Sequence, residues 1–426
     1  MEVMSEKWLQ ELSKYIPEDE VNHITHIVKE GRGSFYIDTE GRTYLDFSSG
    51  IFTNSFGHGD PELAEALSDV FSLLSNIHGR HWEGEVAVYK KLFGHLPSRD
   101  YRVVPFGDGG AYTVDRCLME IFYALGERPY RLATFAGGFH GKTVGAKLSM
   151  ASVDSVFFRS STIPAPYCYR CPCGKSPGSC GMECADLAIR SLLECEAEVF
   201  LMEPVLGSTV IVPPKGYWPK LELACRSYGI ILLADEVLTG GGRTGHYIAS
   251  TGLGLKPDGI LLTKGLANGL PQSMMFLRSD LIHHPRAAEA GHFHATYMGV
   301  PAMLSLAAKV LDKIEREQIL DNVIVRGRQL LSGLKKLAQQ FPEQIGDVRG
   351  IGLMAAVELV KDRESKEPDI ALGQAVFQRA EKKGLELIAG GHVLRMGPPL
   401  NVSESEIDLG LKLLEQSFRE VSNEQT

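Results

Sequence analysis

The middle of the chain alternates short apolar runs with longer segments of helical periodicity. The apolar runs cover residues 130–135, 199–202, 230–234 and 259–263. Runs of this length without polar alternation are typical of strands that are buried on both faces of a parallel sheet. The pattern therefore predicts an α/β fold with a large, mostly parallel sheet that is covered by helices.

The two ends of the chain show a different pattern. Residues 348–353 and 354–359 indicate a pair of antiparallel strands, and Ser403 with Glu406 forms a capping box before a helix. We expect the C-terminal part to form a smaller α+β domain together with residues 35–47. The predicted division is an N-terminal segment of the small domain (1–60), a large domain (61–300) and the rest of the small domain (301–426).

Composition and charge narrow the class of protein. The chain has 426 residues, a formal net charge of −9, 44% hydrophobic residues and 23% charged residues. This acidic balance argues against a nucleic-acid-binding surface, and no apolar stretch approaches the ~18 residues of a membrane span. The first residues lack the apolar core of a secretory signal. We expect a cytoplasmic enzyme without nucleic-acid or membrane partners.

Two of the predicted strands lead into ionisable residues. Asp235 follows the run 230–234, and Lys264 follows the run 259–263. The carboxyl ends of parallel strands share one edge of the sheet, where α/β proteins bind ligands. Loss of hydration there favours a neutral, nucleophilic amine, which a Schiff-base lysine requires. Because pyridoxal 5'-phosphate also needs a carboxylate to keep its pyridine nitrogen protonated, the pair predicts this cofactor.

A glycine turn precedes a predicted helix and is a candidate anion site. Gly109, Gly110 and Ala111 lie in this turn, and the apolar face of the helix begins at Val114. The free N–H groups and the dipole at a helix N-terminus attract phosphate. An ordinary helix entry would have the same sequence, so the turn alone leaves both interpretations open.

Taken together, these motifs resemble the class III (ω-amino acid) aminotransferases, which are fold-type-I pyridoxal-phosphate-dependent transferases. The resemblance covers about residues 35–414. It implies that Lys264, Asp235 and Glu203 are catalytic. The cofactor-binding residues that it implies, besides Lys264 and Asp235, are Gly109, Gly110, Ala111, Phe139, His140, Val237 and Thr296.

The resemblance also implies how some of these residues act. Phe139 would stack on one face of the cofactor ring and Val237 would pack on the other, although a phenylalanine beside a turn is also a common core residue. Thr296 matches a threonine that reaches the phosphate bound by the neighbouring subunit. The implied assembly is therefore a homodimer with shared active sites.

Arg395 is the main candidate for substrate binding. It lies in the apolar segment 393–400, where an arginine is costly to bury unless it meets an anion. Its guanidinium can bind a carboxylate through two hydrogen bonds. The resemblance implies that Arg395 binds the substrate α-carboxylate, and an internal ion pair is the alternative. Phe52 and Trp82 are further candidates for substrate binding.

The predicted reaction moves an amino group from an amine or amino acid donor to a 2-oxo acid. It follows a ping-pong mechanism with Lys264 as the Schiff-base lysine. Leu206, Ser208 and Leu238 stand where the family commonly has Gln, Glu and Gln. These departures leave a racemase, an aminomutase or a lyase on the same scaffold as the alternative. A non-catalytic scaffold is a further rival, against which the retained lysine and aspartate argue.

Five of the eight cysteines lie in a short segment near residues 166–184. Cys168 and Cys171 form one closely spaced pair, Cys180 and Cys184 form another, and Cys173 lies between them. Such spacing suits a structural zinc site, reduced thiols or a redox pair. Because Cys173 leaves an odd sulfur and the segment contains no histidine, we predict an insertion on the large domain without a metal.

Overall fold

The structure is a computed structural model that describes residues 4–17, 19, 25–78, 80–98, 100–176, 179–282, 295–388 and 390–425. Its strands, numbered in chain order, are β1 (Val28–Arg32), β2 (Phe35–Asp38), β3 (Thr43–Asp46), β4 (Tyr101–Phe106), β5 (Tyr130–Phe135), β6 (Phe158–Ile163), β7 (Val199–Met202), β8 (Ile231–Asp235), β9 (Gly259–Leu262), β10 (Ser273–Arg278), β11 (Ile345–Ile351), β12 (Met354–Leu359), β13 (Leu385–Glu386) and β14 (Val393–Met396). Its helices are α1 (Met4–Leu12), α2 (Pro61–Leu73), α3 (Glu85–His95), α4 (Gly110–Ala124), α5 (Val144–Ser149), α6 (Glu183–Glu194), α7 (Tyr217–Tyr228), α8 (Ala249–Gly252), α9 (Ser279–Ile282), α10 (Pro301–Arg316), α11 (Ile319–Gln340), α12 (Ile370–Lys382) and α13 (Glu404–Gln425).

The central sheet has seven strands in the order β4-β10-β9-β8-β7-β5-β6. Strands β9, β8, β7, β5 and β6 pair in parallel, whereas β10 runs antiparallel to both of its neighbours. The mostly parallel sheet predicted from the apolar runs is therefore confirmed. The runs at 130–135 and 199–202 coincide with β5 and β7, and the other two predicted strands differ from β8 and β9 by one residue.

Strand β7 shows why these runs contain no polar alternation. Val199 and Leu201 pack in one apolar cluster, whereas Phe200 and Met202 pack in another. Successive side chains of a strand point to opposite faces of a sheet. Helix α4 covers the first face, and α6 and α7 cover the second. A strand between two helical layers therefore needs apolar residues at every position.

Two smaller sheets bring the ends of the chain together. Strands β1, β2, β3 and β13 form one sheet, in which Leu385 of β13 pairs with Leu45 of β3. Strands β11, β12 and β14 form an antiparallel sheet. The expected association of the N-terminal strands with the C-terminal part is thus present. The division of the chain into domains at residues 61 and 301 stays a prediction.

The capping box at the start of α13 has the predicted hydrogen bonds. The Ser403 N–H donates to Glu406 Oε2 at 2.6 Å, and the Glu406 N–H donates to Ser403 Oγ at 3.3 Å. These bonds satisfy N–H groups that have no partner within the helix. None of the helices in the described ranges combines the length and the apolar character that a membrane crossing requires.

The cysteine-rich insert packs against the C-terminal antiparallel sheet. The fully buried carboxylate of Glu358 on β12 accepts hydrogen bonds from Tyr167 Oη and from Arg170 Nε, the latter at 2.7 Å. Arg349 Nη1 on β11 lies 2.7 Å from the same carboxylate. One buried anion therefore joins two residues of the insert to a sheet that lies far away in sequence.

The cysteines of the insert surround a small cavity. Cys168, Cys171, Cys180 and Cys184 line it, and all eight cysteines of the chain are free. Burial raises the pKa of Cys184 to about 11, and the neighbouring thiols act in the same direction. Within the described ranges, no group of three or more His, Cys, Asp or Glu residues is arranged to hold a metal ion. The metal-free insert stays a prediction.

Replacement of Glu358 by alanine is expected to lower the free energy of unfolding by about 3–5 kcal/mol. The change leaves Arg349 and Arg170 without their buried partner. Denaturant unfolding measures the difference. Glu367→Ala is the matched control, because Glu367 pairs with Lys361 at an exposed position and such pairs contribute about 0–1 kcal/mol. Equal effects of the two substitutions would contradict the anchoring role of Glu358.

Candidate active site

Three ionisable residues meet at the carboxyl ends of three adjacent strands. Glu203 follows β7, Asp235 ends β8, and Lys264 lies two residues after the end of β9. In the sheet, Met202 pairs with Ala234, and Asp235 pairs with Leu261. All three side chains line one cavity of about 630 Å³. The structure therefore brings Asp235 and Lys264 to one sheet edge, as predicted, and places Glu203 beside them.

Lys264 begins a short 3₁₀ turn and has a positive φ of 33°. Burial lowers the pKa of its amine, and the charges of Glu203 and Asp235 oppose this shift. The turn is held in place from outside, because Ser55 Oγ donates to the Gly265 carbonyl at 2.9 Å. A lowered pKa increases the fraction of neutral amine, the form that nucleophilic attack requires.

Asp235 is buried and accepts two hydrogen bonds. The ring of His140 contacts Asp235 Oδ2 through Nδ1 at 2.7 Å, and the Val237 N–H donates to Oδ1 at 3.1 Å. Burial acts to lower the pKa of His140, but the hydrogen bond with Asp235 and the charges of Asp235 and Glu203 together raise it. The other ring nitrogen, Nε2, has no partner among the described residues. His140 therefore orients the carboxylate of Asp235.

Glu203 connects two loops that face the cavity. The Phe139 N–H donates to Oε2 and the Gly207 N–H donates to Oε1, both at 2.8 Å. Burial raises the pKa of this carboxyl to about 7. Since both oxygens accept backbone N–H groups, the geometry makes Glu203 a link between the loop of Phe139 and the loop of Gly207.

The start of α4 is another part of the cavity wall. Gly109, Gly110 and Ala111 line it, and the first N–H groups of a helix have no partners within the helix. A Cβ at Gly110 would lie 2.6 Å from Val237 Cγ1, so a side chain there would collide with Val237. Phe139 is 46% exposed, which makes it a residue of the cavity wall and not of the core.

Arg395 reaches the cavity from β14. Its Nη1 donates to the Gly207 carbonyl at 3.0 Å, and its Nε is buried without a partner among the described residues. Burial lowers the pKa of the guanidinium, and the charge of Glu203 opposes this shift. A partly buried guanidinium with one unpaired buried donor favours an anionic ligand.

The segment 49–52 has an unusual backbone. Ser49, Gly50, Ile51 and Phe52 all have φ between 49° and 65°, which is the left-handed helical region. For each of the three residues with a side chain, this conformation costs roughly 1–2 kcal/mol. Such strain persists where the surrounding structure imposes it, and it is concentrated at functional sites.

Three of the predicted site residues lie away from this cavity. Phe52 is fully buried, and the guanidinium of Arg243 lies 5.3 Å from the centre of its ring. Trp82 packs against a core cluster and against Gly84. Thr296 is exposed, and its carbonyl accepts a hydrogen bond from Asn76 Nδ2 at 2.8 Å. Phe52 and Trp82 are therefore not assigned to the substrate site of their own chain.

The sequence analysis did not identify some of the residues that line the cavity. They are Ile51, Lys142, Leu270 and Pro271. Leu270 and Pro271 follow the turn of Lys264. Their closeness in sequence to the predicted Schiff-base lysine could have identified them as candidates. Ile51 had no such signal, because its exposure depends on the left-handed backbone.

Comparison with known protein families decides the identity of the fold and the reaction class. Residues 16–418 match the family model described as aminotransferase class-III. The chain belongs to the class III aminotransferase family. The sequence-based expectation of a fold-type-I transferase with aminotransferase activity is thereby confirmed.

The relatives that this chain resembles include an aminotransferase and a racemase. The chain is 32% identical to the adenosylmethionine-8-amino-7-oxononanoate aminotransferase of Geobacter sulfurreducens, over 93% of this chain and 92% of the relative. It is 31% identical to the leucine/methionine racemase of Thermococcus litoralis, over 98% and 96%. The ω-transaminase of Pseudomonas jessenii in complex with PMP has a TM-score of 0.88 at 26% identity, over 99% and 98% of the two chains.

The residues of this class III aminotransferase fit the cofactor of such enzymes. A partly buried lysine, a buried carboxylate, a helix N-terminus and an open aromatic face all line the same cavity. Pyridoxal phosphate, when bound, supplies an electron sink for a substrate carbanion. The chain supplies the amine, the carboxylate and the N–H groups that would hold it.

Replacement of Glu203 by glutamine is expected to lower the free energy of unfolding by about 1–3 kcal/mol. An amide has one acceptor oxygen, so its NH₂ group must face either the Phe139 N–H or the Gly207 N–H. Denaturant unfolding measures the loss. Ser208→Ala is the control, because its partly exposed Oγ makes one hydrogen bond, to the Gly137 carbonyl. A fully stable Glu203→Gln protein would refute the bridging role.

Proposed function

We propose that this aminotransferase depends on pyridoxal phosphate, which it binds covalently through Lys264, and that it acts on substrates with a carboxylate. The amino group passes from an amine or α-amino acid donor to a 2-oxo acid in two half-reactions. The observation that carries the proposal is the meeting of Lys264, Asp235 and the α4 N-terminus at one cavity. Amine, carboxylate and anion site are the three groups that this cofactor requires.

In this proposal each residue of the cavity has a distinct role. Lys264 Nζ would hold the cofactor and would move the proton at the substrate carbon. Asp235 would keep the pyridine nitrogen of the cofactor protonated, and His140 orients Asp235. Glu203 is a positioning residue, since both of its oxygens accept backbone N–H groups. Gly109, Gly110 and Ala111 bind the phosphate.

Arg395 is proposed to bind the carboxylate of the substrate. Its Nε lacks a partner among the described residues, and its Nη1 bonds only a carbonyl. Ser208 stands where relatives have a glutamate that could pair with an arginine, and its Oγ donates to the Gly137 carbonyl at 2.7 Å. The guanidinium therefore stays available to an incoming carboxylate.

A homodimer is part of the proposal. The exposed position of Thr296, away from the cavity of its own chain, is compatible with a contact to the phosphate bound by a second subunit. The cytoplasmic location expected from the sequence stays a prediction.

Racemisation is the second candidate reaction. It is favoured by the 31% identity to two relatives named as a leucine/methionine racemase and an alanine/serine racemase. A racemase removes and returns the proton at the substrate α-carbon and releases the same amino acid, whereas an aminotransferase keeps the amino group and releases an oxo acid. Formation of pyruvate from alanine without any acceptor, in an amount equal to the enzyme, would favour transamination.

Replacement of Lys264 by alanine is expected to abolish covalent attachment of the cofactor. The measurement is borohydride reduction followed by mass spectrometry of the intact chain. Lys142→Ala is the matched control, because Lys142 is the other lysine of the cavity wall. The control protein should keep a reducible adduct. An adduct on the Lys264→Ala protein would show that another amine binds the cofactor.

Replacement of Arg395 by alanine is expected to lower kcat/KM selectively for substrates that carry a carboxylate. Loss of a charge-assisted bidentate contact costs about 2–4 kcal/mol, which lowers kcat/KM by about 30- to 900-fold. For a simple amine donor, kcat/KM should change by less than about threefold, since such a donor makes no contact of this kind. Arg395→Lys keeps the charge without the paired geometry. Its kcat/KM for substrates with a carboxylate should lie between that of the wild type and that of Arg395→Ala. Equal losses for amines and amino acids would make Arg395 structural.

A further inference from the structure

We propose that Arg349 is a positioning residue for the reaction, because it holds in place the turn that orients Arg395. The inference rests on the proposed function, in which Arg395 binds the carboxylate of the substrate. Arg349 is not part of the cavity wall, so it acts on the substrate through Arg395. Its side chain is only 11% exposed, and each step of the argument concerns what this buried guanidinium contacts.

The register of the C-terminal antiparallel sheet places the two arginines in one row. Arg349 on β11 pairs with Ala356 on β12, and Ala356 pairs with Arg395 on β14. Paired residues of adjacent strands point to the same face of a sheet. The two arginines therefore leave the same face about 10 Å apart, which is twice the spacing of adjacent strands. The small side chain of Ala356 lies between them and leaves room for another segment of the chain.

The segment that occupies this room is a turn formed by residues 206–211. The Leu206 N–H donates to the Ile211 carbonyl at 3.1 Å, and the Ile211 N–H donates to the Leu206 carbonyl at 3.2 Å. Val210 packs in one apolar cluster with Ala356. Val210 also has a positive φ of 54°, a conformation that β-branched residues avoid. The 206–211 turn therefore depends on contacts from outside to keep its shape.

Each arginine of the row donates to one carbonyl of the 206–211 turn. Arg395 Nη1 donates to the Gly207 carbonyl at 3.0 Å, and Arg349 Nε donates to the Thr209 carbonyl at 2.8 Å. The two carbonyls are two residues apart in one short turn. A shift of the turn at Thr209 therefore also moves the acceptor that orients Arg395. A displacement of about 1 Å at a catalytic site can lower the rate of an enzyme by about 100-fold.

Protein carboxylates and an aromatic ring hold Arg349 itself. Its Nη1 lies 2.8 Å from Asp347 Oδ2 and 2.7 Å from Glu358 Oε2. The ring of Tyr167, in the cysteine-rich insert, has its centre 4.9 Å from the guanidinium carbon. The two carboxylates compensate the charge of Arg349, whereas Arg395 donates to a carbonyl and keeps its charge for a ligand. The row thus contains one arginine that is fixed by the protein and one that is left for the substrate.

The test separates the hydrogen bond to the turn from the charge of Arg349. Arg349→Lys keeps a cation beside Glu358 and Asp347 but lacks the fork that also reaches the Thr209 carbonyl. Cofactor absorbance follows the first half-reaction of the holoenzyme. For the most active amino acid donor, KM should rise by about tenfold, while kcat changes by less than about twofold. The inhibition constant of propanoate, which has a carboxylate and no amino group, should rise by the same factor. For an amine donor without a carboxylate, KM should change by less than about twofold.

Arg170→Lys is the matched control. Arg170 Nε donates to the other oxygen of the Glu358 carboxylate at 2.7 Å, and its Nη2 donates to the Lys366 carbonyl and not to the 206–211 turn. Both substitutions weaken the pairing of Glu358, but Arg170→Lys should leave every KM and the inhibition constant of propanoate unchanged. Equal rises of KM in the two variants would make the effect of Arg349 structural and overturn the inference.

A double-mutant cycle measures whether Arg349 acts through Arg395. In the Arg395→Ala protein, Arg349→Lys should not raise KM for the amino acid donor further, because the contact that Arg349 positions is already absent. A second rise of about tenfold, or an unchanged KM in the single Arg349→Lys variant, would overturn this inference and leave the proposed function intact. Equal losses for amines and amino acids in the Arg395→Ala protein would overturn the proposed carboxylate site and this inference with it.

Discussion

Desolvation of ionisable groups at the carboxyl edge of the central sheet is the constraint on which the active site depends. Burial raises the pKa of Glu203 to about 7 and lowers that of Lys264. Both shifts favour the neutral form, as removal from water requires. The apolar layers on both faces of the sheet create this environment. The stability of the core and the lowered pKa of the lysine amine therefore have the same origin.

Buried carboxylates then organise the irregular segments around the cavity. Asp46 accepts two N–H groups of the left-handed turn, Asp235 accepts one from the residue two positions later, and Glu203 accepts one from each of two loops. Loops have no neighbouring strand to satisfy their N–H groups. A carboxylate with two acceptor oxygens replaces that neighbour, and it fixes the loop without covering the cavity.

The buried anion Glu358 does the same for the cysteine-rich insert. Two residues of the insert donate to it, and Arg349 on β11 also contacts it. Arg349 Nε in turn donates to the Thr209 carbonyl at 2.8 Å, in the loop whose Gly207 carbonyl accepts from Arg395. The insert is therefore linked through Arg349 to the loop beside the proposed carboxylate site.

The sequence by itself determined the features that depend on local pattern. Strands β5 and β7 were predictable because a strand between two helical layers is apolar at every position, and Lys264 met Asp235 because parallel strands end at one edge. The sequence analysis predicted Phe52 as a residue of the substrate site. The tertiary structure instead buries Phe52 and places Ile51 in the cavity wall. A left-handed turn with three non-glycine residues opposes local preference, so only distant contacts such as Gly397 against the Phe52 ring can impose it.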